Sequence, residues 1–497
     1  MCGITGLWGE TDVDSVEAMM RKLEHRGPDG SGTFAGERGV LGHRRLAIMD
    51  PEMGQQPYEE ETLSLAANGE IYNWRSLRES ALEGHTFKTD ADTEVALHLF
   101  EEEGERSLED LDGMFALAFA RGEELLLARD PIGIKPLYYS QFEEGGPLRF
   151  ASEMKALLGD GAPIHELPPG SAYSTKTGVK RFYDLPDPSE MLSDVDDIIS
   201  KVRQTLTDAT NKRLMSDVPL GAFLSGGLDS SVIVALMMER RETMHTFSVG
   251  LEGSPDLEAA RFVSGYLGTE HHEYVFKAEE VKKELPNIIY HLESFDQDLV
   301  RSVIPTYFTA RLAAEHVKVI LTGEGADELF AGYTYCRDYD DYGELHRELR
   351  RSISAMHNVN LQRVDRMTMA HSIEGRVPFL DTALIKLALQ IPPELKLLRE
   401  EGERPVEKWI LRKAFEDLLP EEIVWRDKAQ FDEGSGTTEM LVNFIKEETR
   451  GMDVEAFQAS HPEVKLRSAE ECYYYSVFEE VFQNPELMVP NIGRWAD

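Results

Sequence analysis

Cysteine is scarce in this chain of 497 residues. Cys2, Cys336 and Cys472 are the only three, at spacings that form no pair, so neither a disulfide framework nor a cysteine zinc site is indicated. Basic charge is scarce too: 52 Lys and Arg stand against 91 Asp and Glu, a formal net charge of -39 spread along the whole chain. That balance argues against a nucleic-acid surface. No uninterrupted apolar run is long enough to cross a bilayer, and the start carries no basic segment followed by an apolar one. The expectation is a cytoplasmic protein with no membrane and no nucleic-acid partner. The acidic excess fits a salt-rich cytoplasm and a merely acidic cytosolic protein equally well, since such a field repels itself when unscreened.

What is present divides by texture. A chain of this length implies two or three domains. Up to about residue 184, short strands with glycine turns (Gly42 to Met49, Leu63 to Ala67, Met114 to Ala120, Leu125 to Ala128) alternate with helical patterns near Asp14 to Glu24 and Asp92 to Glu103, as in a layered α+β domain. The polar, proline-containing stretch 185–195 reads as a linker. From residue 196 to 497 the pattern changes. Strands expected at Val218 to Leu224, Thr246 to Val249, His272 to Phe276 and Val317 to Leu321 are separated by longer helices, the signature of a parallel α/β sheet with ligands at its carboxyl ends. Beyond about residue 335 the chain reads as mostly helical.

Ser225-Gly226-Gly227-Leu228-Asp229-Ser230 lies between an apolar strand pattern and an apolar helix pattern. Two glycines let the backbone approach an anion, two serines offer hydroxyls, and the helix start presents unpaired N–H groups. No Lys follows the glycines, so this is not the G-x-x-x-x-G-K-[ST] loop. It resembles the PP-loop of ATP pyrophosphatases, which cleave ATP between its α and β phosphates. At the other end of the chain, Cys2 becomes the first residue if Met1 is removed, and a thiol beside its own α-amino group combines nucleophile and base.

Cys2-Gly3-Ile4-Thr5-Gly6 is followed by His25-Arg26-Gly27-Pro28-Asp29, His43-Arg44-Arg45-Leu46-Ala47-Ile48, Asn68-Gly69-Glu70-Ile71-Tyr72-Asn73 and Ala91-Asp92-Thr93-Glu94. In order and spacing these resemble the class II, N-terminal-nucleophile glutamine amidotransferase domain over residues 2–184, which implies an αββα sandwich. The resemblance implies that Cys2 attacks the glutamine amide, with Asn68 and the Gly69 N–H as oxyanion hole. It also implies that Arg45, Leu46, Ile48, Glu70 and Asp92 help to bind glutamine, Arg45 pairing with its α-carboxylate and the two acids with its α-ammonium. Met49 and Asp90 stand where the family often has a smaller apolar residue and Gly.

Thr322-Gly323-Glu324-Gly325-Ala326-Asp327-Glu328, Arg376-Val377-Pro378-Phe379-Leu380-Asp381, Lys408 and Trp425-Arg426-Asp427-Lys428 come after the PP-loop. Together with the first half they resemble glutamine-hydrolysing asparagine synthetase over nearly the whole chain. The resemblance implies a PP-loop α/β domain that holds adenine and ribose at Phe223, Leu224, Val249, Thr322 and Gly323. It would hold pyrophosphate at Ser225, Gly226, Gly227, Asp229 and Ser230, with Lys408 on phosphate oxygen and Asp229 and Asp327 on Mg²⁺. Glu324 is implied as base or stabiliser at the amination step and Arg301 as an aspartate-positioning residue. Glutamine, aspartate and ATP are the implied substrates, and a homo-oligomer is compatible with the sequence. A related amidotransferase acting on another carboxylate would keep both motif sets. His271-His272 has no Cys or His near it at metal-ligand spacing and reads as structural; Tyr473-Tyr474-Tyr475 reads as helix packing.

Overall fold

The computed structural model describes residues 2–402, 404–426 and 437–495. The first part of the chain builds two six-stranded sheets. One has the order β10-β8-β9-β1-β3-β2 and the other β12-β11-β7-β6-β5-β4. In chain order these strands are β1 (Cys2–Trp8), β2 (Gly30–Ala35), β3 (Gly39–Arg45), β4 (Tyr58–Glu59), β5 (Ser64–Ile71) and β6 (Gly113–Arg121). They continue with β7 (Glu124–Arg129), β8 (Tyr138–Gln141), β9 (Leu148–Ala151), β10 (Ile164–Glu166), β11 (Ser171–Ser174) and β12 (Gly178–Arg181). β1 is buried along its whole length and pairs antiparallel with β3 and β9, whereas β2, at the sheet edge, alternates between half-buried and exposed residues as a one-faced strand should.

Ile4, Leu41, Ala116, Ala118, Leu127 and Phe150 fill the space between the two sheets. The helix Val13–Lys22 covers the outer face of the first through Val16 and Met20, and the helix Glu94–Glu103 covers the second through Val95, Leu99 and Phe100. This is the expected αββα sandwich. Two boundaries differ from the sequence pattern. β5 runs on to Ile71, so Asn68 and Gly69 lie within a strand, paired there with β6. β3 stops at Arg45, whose guanidinium turns back to bond the carbonyls of residues 49 to 51.

Residues 185–194 form neither helix nor strand, and Arg350 ties them down by donating to the carbonyls of Leu185 and Pro186. Beyond them lies a parallel five-stranded sheet, ordered β15-β14-β13-β16-β17. Its strands are β13 (Leu220–Phe223), β14 (His245–Gly250), β15 (Glu270–Val275), β16 (Val319–Leu321) and β17 (Glu374–Arg376). After a polar first turn, the helix Leu228–Met238 is apolar on every face, and it buries nine of its eleven residues. The helix Pro255–Leu267 begins with Pro in its first turn and ends on left-handed Gly268, each at the terminus it suits. β17 lies within the region that reads as helical. Glu-Gly-Arg has no apolar alternation to reveal a strand, and pairing with β16 supplies what the residues do not signal. Among the described residues no helix is long and apolar enough to cross a membrane.

The two parts of the chain meet through buried charge. Arg26, fully buried, donates to Glu153 at 2.7 Å and to Asp365 at 2.8 and 3.1 Å. Arg366, also fully buried, pairs with Glu153 at 2.9 Å and Glu293 at 3.0 Å. Asp365 and Arg366 belong to the helix Asn360–Met369. Losing one member of such a network leaves an uncompensated buried charge, which costs about 3–5 kcal/mol.

Candidate active sites

Cys2 opens β1, opposite Arg45 on β3. Its backbone N–H donates to Asn68 Oδ1 at 2.9 Å. That bond fixes the carboxamide, and Asn68 Nδ2 is left buried with no hydrogen-bond partner. A buried NH₂ of this kind is costly unless an oxygen comes to complete it. Burial pushes the Cys2 thiol above its ordinary pKa, while the Leu46 N–H pulls it the other way. The next residue can only be glycine: a Cβ on Gly69 would lie 2.0 Å from the Met114 carbonyl oxygen.

Glu70 and Asp92 are buried in the same region. Asp92 Oδ2 accepts the Ile71 N–H at 2.6 Å, and Glu70 Oε2 lies 3.4 Å from Arg376 Nη2. Burial, reinforced by the charge of Glu374, raises Asp92 to about 6; burial and the charge of Asp92 raise Glu70 well above the usual carboxylate range. Two acids that resist ionising together form a place that a cation would relieve. Arg45 is buried, and its guanidinium bonds Pro51 O at 2.9 Å and Asp50 O at 2.6 Å. In this state it braces the loop after β3. Leu46 and Ile48 are buried among Tyr72, Met114 and Ile132.

The second site is an open cleft at the carboxyl ends of the parallel strands. β13 and β16 are parallel neighbours, so the PP-loop after the one and the Thr322–Glu328 turn after the other emerge side by side. Gly226 has φ +72°, and a Cβ there would come 2.5 Å from the Ala259 backbone, so the sharp turn and its close packing both require glycine. Ser225 and Ser230 share a hydroxyl hydrogen bond at 3.1 Å across this turn, and Gly227 precedes the helix Leu228–Met238 without a side-chain cap. Phe223, Leu224, Ser225, Asp229, Ser230, Val249, Thr322, Gly323, Glu324 and Asp327 all face the cleft.

Lys408, nearly fully buried, bridges Asp229 Oδ2 and Asp327 Oδ1, each at 2.6 Å. Asp229 Oδ1 is buried with no hydrogen-bond partner. Two converging carboxylates with an orphaned oxygen form an all-oxygen donor set that fits Mg²⁺. Glu324 pairs with Arg363 Nη2 at 2.6 Å. Behind them Glu328 is raised to about 7 by burial and by the charges of Glu324 and Asp327, and accepts from Tyr333 at 2.6 Å. Arg426 closes the far side of the PP-loop through Gly226 O at 3.3 Å and Asp256 at 3.0 Å. Asp427 and Lys428 of the same motif lie outside the described residues.

Arg301 stands apart from the other expected site residues. It does not line the cleft; its guanidinium pairs with Glu470 on the helix Ala469–Val481, with Nε donating at 2.9 Å. The charged side chain facing the cleft beside Glu324 is Arg363, which no sequence motif singles out. Tyr474 and Tyr475 are buried on the helix Ala469–Val481.

A buried thiol at Cys2 with an open amide donor, in a chain that also carries a PP-loop cleft, defines the class: an amidotransferase half fused to an ATP-dependent synthetase half. A family model described as glutamine amidotransferase domain matches residues 1–179, and one described as asparagine synthase matches residues 201–340 and 337–488. The chain is 40% identical to asparagine synthetase (glutamine-hydrolysing) 3 of Arabidopsis thaliana, covering 97% of this chain and 88% of that one. It is 38% identical to asparagine synthetase B (glutamine-hydrolysing) of Escherichia coli K12, covering 98% and 92%. The chain belongs to the family of glutamine-hydrolysing asparagine synthetases.

Proposed function

We infer that the protein makes asparagine from aspartate with glutamine as nitrogen donor, consuming ATP and releasing AMP, pyrophosphate and glutamate. The work divides between residues 2–184, which hydrolyse glutamine, and residues 196–497, which form the amide, with 185–195 as the connection. With Met1 removed, the Cys2 amino group takes the thiol proton and the sulfur attacks the amide carbon. Asn68 Nδ2 and the Gly69 N–H receive the developing oxyanion, an interaction stronger in the transition state than in the planar amide. Glu70 and Asp92 hold the glutamine ammonium, and Arg45 holds its carboxylate once the loop carbonyls give it up. Ammonia leaves, and water releases glutamate from the thioester.

In the cleft, the aspartate β-carboxylate attacks the ATP α-phosphorus and pyrophosphate departs. Ser225, Gly226, Gly227, Asp229, Ser230 and Lys408 surround the departing group, while Phe223, Leu224, Val249, Thr322 and Gly323 take the nucleoside. Asp229 and Asp327 would hold Mg²⁺, which would neutralise phosphate charge. Ammonia attacks the resulting β-aspartyl-AMP, Glu324 accepts a proton, and AMP leaves. Arg363, already fixed on Glu324, is better placed than Arg301 to meet the aspartate carboxylates. The work takes place in the cytoplasm.

The observation that carries this reading is the meeting of the PP-loop and the Thr322–Glu328 turn at adjacent strand ends, with Asp229, Glu324 and Asp327 on one cleft. The test is to incubate the protein with glutamine, aspartate and MgATP and identify the products. Asparagine with AMP and pyrophosphate is expected; ADP with orthophosphate would refute the assignment.

A further inference from the structure

Three histidines from three separate elements converge beside the parallel sheet. His245 opens β14, His272 is the third residue of β15, and His316 follows the helix Gln297–Ala313. Each offers a ring nitrogen, and these atoms all lie within 4.8 Å of one another. His245 Nδ1 is 3.0 Å from His272 Nε2, and the His316 ring stacks on His272 with centroids 3.9 Å apart. None of the three lines the nucleotide cleft. Phe247, which does line it, is fully buried and stacks on His272 at 5.2 Å, so it forms the floor of the cluster.

The reading of His271-His272 as structural holds for His271, whose nitrogens contact the hydroxyls of Thr246 at 2.9 Å and Ser248 at 3.0 Å. His272 has different surroundings. Its histidine neighbours come from elements remote in the chain, which local spacing cannot reveal.

A neutral imidazole carries one nitrogen lone pair, so each of the three rings can donate to a cation. Glu270 adds a carboxylate 3.6 Å from His245 Nδ1 and 3.8 Å from His272 Nε2. Three imidazoles and one carboxylate suit borderline divalent ions such as Zn²⁺ or Co²⁺, whereas Mg²⁺ prefers oxygen ligands like those of Asp229 and Asp327.

We propose that His245, His272 and His316, with Glu270 as a fourth ligand, bind one divalent transition-metal ion of the Zn²⁺ class. The ion ties the edge strand β15 and its neighbour β14 to the end of the helix Gln297–Ala313. Held there, it also fixes Phe247 from behind the cleft wall.

The test uses the full chain, stripped with chelator and titrated with Co²⁺ in the presence of excess Mg²⁺. One Co²⁺ per chain should give the intense d–d absorption of a four-coordinate, nitrogen-ligated ion, and should raise the thermal unfolding temperature. His316→Gln, at an exposed position, and His272→Gln should each abolish that absorption, while His271→Gln should keep it. Only the weak absorption of a six-coordinate, oxygen-ligated ion would overturn the proposal. So would an intense spectrum that survives in both His316→Gln and His272→Gln, which would place the ion elsewhere, for instance at His85, His98 and Glu101.

Discussion

Arg26 and Asp365 form a two-pronged buried ion pair, at 2.8 and 3.1 Å, and the same guanidinium donates through Nε to the Cys2 carbonyl at 3.0 Å. Asp365 sits two residues from Arg363, the partner of Glu324, on one helix. A single helix is therefore linked, through Arg26, to the backbone of the nucleophile at one end of the chain and pairs directly with the acid of the synthetase cleft.

Asp365→Asn should disturb both stability and coordination of the two sites. Arg26 loses a buried counter-charge, at a cost of about 3 kcal/mol or more. The thermal midpoint should fall, and the ratio of glutamate released to asparagine formed should rise above that of the parent enzyme. An unchanged ratio in the folded variant would mean that the pair is only structural.

The raised acid at the glutamine pocket predicts a pH dependence. Asp92, near 6, is ionised above that pH and protonated below it, so the charge meant for the glutamine ammonium disappears as pH falls. The KM for glutamine should rise up to about tenfold between pH 6 and 5, while ammonium-dependent synthesis escapes this effect. Asp92→Asn should show a high KM that no longer varies across this window. A pH-independent KM in the parent enzyme would contradict the assignment.

Much of this was legible in the sequence, for physical reasons that differ by residue. The PP-loop and the Asn68-Gly69 pair are local: turn geometry and close backbone approach demand particular residues in sequence. β17 was not legible because Glu374, Gly375 and Arg376 become a strand only through pairing with β16. Arg363 lies on a helix with no motif, and its value comes from Glu324, brought to it by the fold. Arg301 matched only by analogy, and Glu470 occupies it. The cluster around His272 depends on contacts between elements far apart in the chain.

Glu324→Gln separates the steps in the cleft. The amide keeps the shape of the side chain and some of its bonding to Arg363 but cannot accept a proton. Glutamine hydrolysis at Cys2 should persist, and asparagine formation should fall by ~10²–10⁴-fold, the usual loss when a general base is removed. Near-normal asparagine production would reduce Glu324 to a partner for Arg363.

The division of labour between the two halves is tested most directly by Cys2→Ala, assayed with glutamine and with ammonium as alternative donors. If the thiol serves only to release ammonia, glutamine-dependent synthesis should vanish while ammonium-dependent synthesis stays close to that of the parent enzyme. Loss of both activities in a folded variant, or retention of the glutamine-dependent one, would contradict it.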